Sequence, residues 1–267
     1  MSAAKDDALA DPASRDAPLE AGDIGRFDRD GWLARPDFFT ATQAFEIARW
    51  TDELVALPEV PGRHMVYYED SLTTPGTRVL QRIEAFCEVH AGFDALVRSG
   101  PLLAAAAQLL GGPAVLFKEK INFKKPGGGG FQPHQDQQAG WSKYAPMFVT
   151  ALVTIDAATM ENGCLEMPGG ARVGGLIGTE WTPLTAEALA AHPLRPVPSA
   201  PGDVLFFDSY APHASQPNRT DRQRRILYLT YNRADAGDHR RQYYADKRAS
   251  FPPDVERAPG AVYAFRV

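Results

Sequence analysis

A histidine and an aspartate separated by one residue follow a glycine-rich turn in the middle of the chain. His134 and Asp136 come after the four glycines of residues 127–130, and a second histidine, His213, lies 77 residues beyond Asp136. Residues two apart in an extended strand point to the same side, so one strand end can present both side chains to one metal ion. Two imidazoles and one carboxylate are the ligands of facial-triad iron(II) sites, which keep coordination positions open. The sequence therefore predicts an iron(II) site made of His134, Asp136 and His213.

The spacing of an arginine strengthens this prediction. A bare His-x-Asp motif is weak evidence, because a surface histidine beside a solvated aspartate has the same letters. Arg224 lies eleven residues after His213 and opens a run rich in β-branched and aromatic residues, which predicts a strand. Alternation along that strand places Arg224 on one face with Tyr228 and Thr230. A guanidinium that points into a barrel needs a carboxylate partner, and the far carboxylate of 2-oxoglutarate would be one.

These features together resemble the phytanoyl-CoA dioxygenase family of iron(II)/2-oxoglutarate oxygenases, which includes ectoine hydroxylase. The resemblance covers residues from about 27 to about 232, and it rests on His134-Gln-Asp136, His213-Ala-Ser215, Arg224 and the strand 118–124. It implies that the two histidines and the aspartate hold iron(II), and that Arg224, assisted by Ser215, binds the 5-carboxylate of 2-oxoglutarate. Dioxygen would be the other co-substrate. Because Asp136 is retained, the resemblance implies a hydroxylase and not a halogenase.

Three further residues are expected beside the co-substrate. Asn122 stands on the strand before the metal motif, where ectoine hydroxylase has an asparagine contact, and Lys118 shares its face. The hydroxyl of Thr150 alternates with the apolar residues Phe148 and Leu152 and could reach the same ligand. Each has an ordinary explanation too, because lysines often mark a solvated strand face and threonine is common in strands.

The candidate substrate contacts are basic and aromatic. They are Trp141 and Lys120 near the metal motif, Arg63 and Tyr68 in an upstream loop, and Arg248 after the last strand. These residues favour an anionic or aromatic substrate over a long acyl chain. The resemblance implies hydroxylation of an unactivated C–H bond in a small molecule, such as a secondary metabolite or an anionic solute like a phosphonate.

Two alternative functions stay open at this point. A zinc hydrolase also uses two histidines and a carboxylate, although it would not need Arg224 at that spacing. A non-catalytic jelly roll could bind a ligand without any chemistry, but it would not need three metal ligands and an anion clamp. Metal analysis and succinate release separate the three functions.

The composition limits the partners. The chain has 267 residues, of which 44% are hydrophobic and 23% charged, as in ordinary globular proteins. A net charge of −5 without a basic block argues against nucleic acid and anionic membranes as partners. No apolar stretch is long enough to span a bilayer, no secretory leader is evident, and two cysteines cannot form a disulfide framework. We therefore expect a cytoplasmic monomer or homodimer that acts on a small molecule.

The order of predicted elements indicates a mainly β fold with supporting helices and a double-stranded β-helix (jelly-roll, cupin-like) core. Residues 1–22 read as a flexible tail, residues 23–267 as one domain, and residues of about 114–232 as its core. Helices are predicted at about 41–57, 101–110 and 185–192. Strands are predicted at about 114–124, 147–155, 163–166, 194–196, 202–208 and 225–232.

Overall fold

Two antiparallel β-sheets lie face to face in the computed structural model, which describes residues 18–263. The first has seven strands in the order β1-β9-β6-β11-β4-β3-β2, and the second has four in the order β5-β10-β7-β8. The strands are β1 (Trp32–Arg35), β2 (Met65–Asp70), β3 (Arg78–Glu84), β4 (Ala114–Lys124), β5 (Phe131–His134), β6 (Val149–Thr154), β7 (Leu165–Pro168), β8 (Leu194–Val197), β9 (Val204–Asp208), β10 (His213–Ser215) and β11 (Arg224–Arg233).

Five α-helices accompany the sheets. They are α1 (Ala21–Asp30), α2 (Ala41–Ala56), α3 (Ala91–Arg98), α4 (Pro101–Leu110) and α5 (Arg240–Ser250). Sequence signals mark their ends: Thr40 and Gln43 form a reciprocal capping box at the start of α2. Pro101 occupies the first turn of α4, and Gly111 ends that helix in the left-handed conformation.

The outer face of the seven-stranded sheet carries the main apolar core. Alternation along β4 and β11 turns residues such as Ile121, Phe123, Leu227 and Leu229 outward, where they pack against α2, α3 and α4. Because helices cover this face, every residue of β11 except Arg233 is buried. The helical layer thereby fixes the sheet whose opposite face carries the polar side chains.

Between the sheets, apolar packing fills only part of the interior. A second cluster joins Leu152, Phe207 and Ile226 of the large sheet to Leu165 and Met167 of the small one. The remaining interior positions of β4 are Lys118, Lys120, Asn122 and Lys124, of which three are buried and Lys120 is partly exposed. The lysine-rich face therefore points into the barrel and not into solvent.

The predicted mainly β fold with supporting helices and a jelly-roll core is confirmed. Two predicted elements, residues 114–124 and 101–110, have the bounds that β4 and α4 show. The helix predicted at 185–192 is wrong, since only turns occur there. The predicted tail ends too late, because Leu19 is buried and α1 begins at Ala21; residues 1–17 lie outside the described part. Within residues 18–263, none of the helices has the length and apolarity needed to cross a membrane.

Candidate active site

The three predicted metal ligands lie together at one edge of the small sheet. His134 ends β5 and pairs directly with His213, which opens β10, so that their ring centroids are 4.3 Å apart. Asp136 begins the 3-10 turn that follows β5. One ligand atom from each residue lies within 4.8 Å of those of the other two. The antiparallel pairing of two short strands therefore assembles the predicted triad.

Hydrogen bonds orient each of these side chains. Nδ1 of His134 lies 2.7 Å from the carbonyl oxygen of Gln132, and Nδ1 of His213 lies 3.0 Å from that of Ala211. With Nδ1–H donating to a carbonyl, Nε2 of each ring keeps its lone pair for a metal. The Thr150 hydroxyl lies 3.5 Å from Oδ2 of Asp136, so this predicted co-substrate residue contacts a metal ligand.

The protonation states suit metal binding. Burial and the nearby His213 lower the pKa of His134 to about 3, and burial lowers the pKa of His213. Burial opposes ionisation of Asp136, but His213 and Lys118 hold its pKa below the usual value. Neutral imidazoles and an ionised carboxylate are the ligand forms that bind a divalent metal, and nitrogen–oxygen ligand sets of this kind fit iron(II).

The residue between the two ligands of the motif fixes the surrounding loops. Gln135 is fully buried, and its amide nitrogen donates to the carbonyl oxygens of Gly175 and Tyr210 at 2.8 and 2.6 Å. Its amide oxygen accepts from the backbone nitrogen of Ile177 at 2.8 Å. Gln135 thus ties two loops to the metal motif, a role that its place in the sequence does not indicate.

Two buried cations lie side by side near the predicted co-substrate residues. Arg224 pairs with Lys124 across β11 and β4, and both contact the carbonyl oxygen of Gly163, at 2.6 and 3.3 Å. Nζ of Lys124 also donates to Oγ of Ser215 at 2.7 Å and to the carbonyl oxygen of Gln216. Nε of Arg224 is buried without a hydrogen-bond partner in residues 18–263, and neither cation has a carboxylate partner there. The cluster is therefore ready to receive an anion.

A glycine makes this cluster possible. Gly163 has φ +77°, and a Cβ at this position would lie 2.0 Å from the carbonyl oxygen of Gln216. Any side chain would therefore push the 163 turn away from the strand that carries Ser215. Asn122, the neighbouring predicted residue on β4, has a buried Oδ1 without a hydrogen-bond partner among the described residues.

A pocket opens beside His134 and Asp136 and contains about 450 Å³ of empty space, part of it open to solvent. Its charged lining residues are Arg82, Glu84, Lys118, Lys120, Asp136 and Lys247, and its aromatic ones are Phe131, Trp141 and Tyr243. The pocket is therefore mainly cationic, with aromatic walls.

Two lysines of the pocket have no carboxylate in direct contact, although the charges of Asp136 and Glu84 favour their protonated forms. Nζ of Lys118 lies 4.5 Å from the Trp141 ring centroid, and Nζ of Lys120 lies 4.9 Å from that of Tyr228. Neither forms an ion pair or a hydrogen bond within the described chain. Burial lowers the pKa of Lys118, and burial together with the charge of Lys118 lowers that of Lys120 to about 7. An anionic ligand would favour the charged form of both.

The other two cations of the pocket share one carboxylate. Oε1 of Glu84 lies 2.9 Å from Nε of Arg82, and its two oxygens lie 2.7 and 2.6 Å from Nζ of Lys247. Although burial alone would raise it, the pKa of Glu84 is held at about 2 by Lys247 and Arg82. The Arg82 guanidinium also lies over the Tyr67 ring, 4.4 Å from its centroid.

The structure distributes the predicted contacts between two regions. Trp141 and Lys120, predicted as substrate contacts, line the pocket, and so does Lys118, predicted beside the co-substrate. Arg63, Tyr68 and Arg248 do not line it, and their assignment as substrate contacts stays a prediction. The Tyr68 hydroxyl donates to Glu59 at 2.5 Å, and Arg248 donates to the carbonyl oxygen of an exposed Arg63 at 2.7 Å.

Sequence reasoning missed residues that come from distant segments. Glu84 lies on β3, Lys124 at the end of β4, and Tyr243 and Lys247 on α5. Lys124 shares the strand parity of Lys118, Lys120 and Asn122. The other three lie in two polar segments, around residue 84 and at 243–248, that the sequence marks as places where specificity can be set.

Comparisons with known proteins agree with this geometry. The model of the family described as phytanoyl-CoA dioxygenase (PhyH) matches residues 27–226. The chain is 40% identical over 236 residues to 2-aminoethylphosphonate dioxygenase from uncultured bacterium HF130_AEPn_1, covering 88% of this chain and 90% of that protein. It is 39% identical over 234 residues to methylphosphonate hydroxylase from Gimesia maris, covering 87% of this chain and 88% of that protein.

A solved structure shares the fold. The crystal structure of EctD from S. alaskensis with 2-oxoglutarate and 5-hydroxyectoine superposes with a TM-score of 0.68 at 24% identity. The match covers 83% of this chain and 78% of that chain.

Proposed function

Because the chain belongs to the phytanoyl-CoA dioxygenase family, we propose that it hydroxylates a C–H bond of a small organophosphonate. The protein is an iron(II)- and 2-oxoglutarate-dependent dioxygenase. Its relatives at about 40% identity are named for phosphonate substrates, which supports the same substrate class here. The observation that carries the proposal is the pair of lysines without a direct ion-pair partner, Lys118 and Lys120, in the pocket beside the metal triad.

The charges of the pocket match a dianion. Four cationic side chains and two carboxylates line it, which leaves two positive charges in excess when all six are ionised. Iron(II) and the 2-oxoglutarate dianion add charges that cancel each other, and Arg224 and Lys124 are counted with the co-substrate site and not with this pocket. A phosphonate dianion would neutralise the remaining excess, whereas a neutral or cationic substrate would leave buried ammonium groups without a partner.

The assignment of residues to roles follows from their contacts. His134, Asp136 and His213 would hold iron(II), and Arg224, with Lys124, Ser215 and Asn122 around it, would bind the far carboxylate of 2-oxoglutarate. When bound, iron(II) and 2-oxoglutarate would supply the oxidation, in which decarboxylation of 2-oxoglutarate to succinate accompanies transfer of an oxygen atom to carbon.

The pocket residues have a positioning role. Lys118 and Lys120 would orient the phosphonate oxygens, which places the carbon chain at the metal edge of the pocket. Trp141 and Phe131 form apolar walls that exclude water from the reacting carbon.

We also propose that the predicted domain, with its start moved from residue 23 to about Leu19, acts as one unit in a cytoplasmic monomer or homodimer. Both cysteines, Cys87 and Cys164, are buried and free, which suits a reducing compartment.

Turnover tests the proposal directly. Protein loaded anaerobically with iron(II) and 2-oxoglutarate is exposed to oxygen with methylphosphonate or 2-aminoethylphosphonate, and succinate and hydroxylated phosphonate are quantified. We expect equimolar products with at least one of them. The double variant Lys118→Met/Lys120→Met should lose this turnover while it still binds 2-oxoglutarate. Failure of both phosphonates to stimulate succinate release would contradict the proposal. If the protein instead catalysed hydrolysis with zinc, the hydrolase function would replace it.

A further inference from the structure

The pocket has one carboxylate that a substrate could use as a partner. Among the residues that line it, Asp136 belongs to the metal triad, so only Glu84 remains. A substrate tail that carries an ammonium group needs a carboxylate, a set of carbonyl oxygens or an aromatic face once it leaves water. The state of Glu84 therefore decides which tails fit.

Both oxygens of Glu84 are already occupied. Nζ of Lys247 lies 2.7 and 2.6 Å from them, and Nε of Arg82 lies 2.9 Å from Oε1. Glu84 is 1% exposed, so its carboxylate has little room for another cation. A substrate ammonium would have to displace Lys247 from a buried ion pair, which leaves a second buried charge without a partner.

The helix that carries Lys247 is firmly held. Arg240 donates to Oε2 of Glu119 at 2.8 Å, and the Tyr244 hydroxyl donates to the Glu119 carbonyl oxygen at 2.8 Å. Both contacts join α5 to β4, the strand of Lys118 and Lys120. The helix is thus anchored to β4, and the contacts with both oxygens of Glu84 hold the Lys247 ammonium in place.

The aromatic walls are occupied as well. Lys118 lies over the rings of Trp141 and Tyr243, with Nζ 4.5 and 5.6 Å from their centroids. Nζ of Lys247 lies 5.9 Å from the Tyr243 centroid. Cations of the protein already use these π-faces, and a further cation among Lys118, Lys120 and Lys247 would meet like charges.

We propose that the Glu84–Lys247 ion pair makes this pocket select phosphonates with a neutral or anionic carbon chain and reject those with an ammonium group. This inference rests on the proposed function, since it assumes that the phosphonate group is bound by Lys118 and Lys120. The residue that determines specificity is Lys247, because its ammonium occupies the place that a substrate ammonium would need.

A competition between two probes tests the inference. Methylphosphonate and 2-aminoethylphosphonate are supplied together to the loaded wild-type enzyme, and their products are quantified by phosphorus NMR. We expect kcat/KM to favour methylphosphonate by about tenfold or more, a factor that corresponds to roughly 1.4 kcal/mol. Calorimetry also measures how tightly each phosphonate binds to the anaerobic protein loaded with iron(II) and 2-oxoglutarate. This readout is independent of turnover.

One substitution isolates Lys247. In Lys247→Met, Glu84 loses one partner and can accept a substrate ammonium, so the preference should shift by at least about tenfold toward 2-aminoethylphosphonate. Lys143→Met is the matched control. Lys143 is an exposed lysine that pairs with Asp246 of α5, the helix that carries Lys247, and it does not line the pocket. The control should keep the wild-type ratio.

The outcomes separate the two proposals. A wild-type preference for 2-aminoethylphosphonate, or an unchanged ratio in folded Lys247→Met, would overturn the inference and leave the proposed function intact. If Lys247→Met does not fold, Lys247→Gln and the wild-type competition decide in its place. If the protein neither binds nor turns over either phosphonate, the proposed function itself is overturned.

Discussion

Lys120 illustrates how single residues of the pocket reduce the stability of the fold. Its pKa is lowered from the usual 10.5 to about 7 by burial and by Lys118. Below about pH 7 the ammonium is charged in both folded and unfolded chains, so folding bears the full cost of burying it. Between about pH 7 and 10.5 the unfolded chain binds more protons, and stability rises with pH.

We therefore expect Lys120→Met to raise the Tm of the metal-free protein. At pH values below 7, Tm should rise by a few degrees, since 1 kcal/mol shifts Tm by about 2–4 °C in a domain of this size. This increase should fade toward pH 10. Calorimetry at pH 6 and pH 10 measures it. Lys143→Met, at an exposed position, should show no such pH-dependent gain, and an equal gain at both pH values would refute the assignment of a buried ammonium.

Arg224 has the opposite proposed role, because it would bind the far carboxylate of 2-oxoglutarate and not only reduce the stability of the fold. Arg224→Ala should weaken 2-oxoglutarate binding to the anaerobic iron(II) protein by about 2–5 kcal/mol, the usual effect of removing one partner of a buried charge pair. Arg224→Lys should rescue part of this loss, because lysine lacks the planar fork. Titration with 2-oxoglutarate measures the affinity.

Two neighbours serve as controls for Arg224. Arg222 is exposed, and Arg222→Ala should leave the affinity unchanged. Arg225 points to the other face of β11, where Nε lies 2.8 Å from Asp156. A larger loss of affinity in either neighbour than in Arg224→Ala would contradict the register of the strand.

At the residue level, the sequence predicts what short spacing determines. His134 with Asp136, and His213 with Arg224, are recognisable because each pair is separated by a short interval in the chain, and the family resemblance joins the two pairs. Glu84 and Lys247 escape prediction, since they become neighbours only when β3 and α5 meet, and no interval in the sequence encodes that contact.

Among the elements, α5 shows why some helices are hard to predict. Its buried residues Arg240, Tyr243 and Tyr244, together with Lys247, repeat at helical spacing, but the sequence of the helix is mostly polar. At residues 185–192 the sequence has a helix signal without a helix. Thr185 accepts a hydrogen bond from the Ala188 nitrogen at 3.3 Å, as an N-terminal cap does. No residue of that segment is buried, so tertiary packing does not extend the turn into a helix.

Tyr244 connects α5 to the strand that carries the pocket lysines. Its hydroxyl accepts from the Glu119 nitrogen at 3.0 Å and donates to the Glu119 carbonyl oxygen at 2.8 Å. Tyr244→Phe leaves these buried groups unpaired and should lower the free energy of unfolding by about 1–3 kcal/mol. Urea unfolding measures the loss, and the phosphonate affinity should fall with it because Lys118 adjoins Glu119.

A second tyrosine provides the comparison. The Tyr210 hydroxyl donates to the Pro146 carbonyl oxygen at 2.9 Å in an exposed position. Tyr210→Phe should therefore lower the free energy of unfolding much less than Tyr244→Phe. Equal losses in the two variants would show that the Tyr244 contact stabilises the fold no more than an exposed hydrogen bond does.

For the whole molecule, metal binding and stability are linked. The three ligands come from β5, the turn after it and β10, so iron(II) joins segments almost 80 residues apart in sequence. At a free iron concentration of about one hundred times Kd, binding adds about 2.7 kcal/mol to the folded state. We expect about one iron per chain and a Tm increase of roughly 5–10 °C.

His213→Ala should abolish both the bound iron and the increase in Tm. His192→Ala is the control, because His192 is outside the metal cluster and should preserve both. Metal analysis and thermal unfolding with and without iron(II) measure the two effects. An iron-dependent Tm increase in His213→Ala would remove this histidine from the site.

The position of α5 in the chain also has a consequence for how the choice of substrate can be changed. The family match ends at residue 226, whereas Tyr243 and Lys247 reach the pocket from beyond the last strand. The predicted metal and co-substrate residues thus lie inside the matched stretch, and Lys247, proposed to determine specificity, lies outside it. We therefore expect substitutions confined to the final helix to change which molecule is oxidised and to leave iron and 2-oxoglutarate binding as it was.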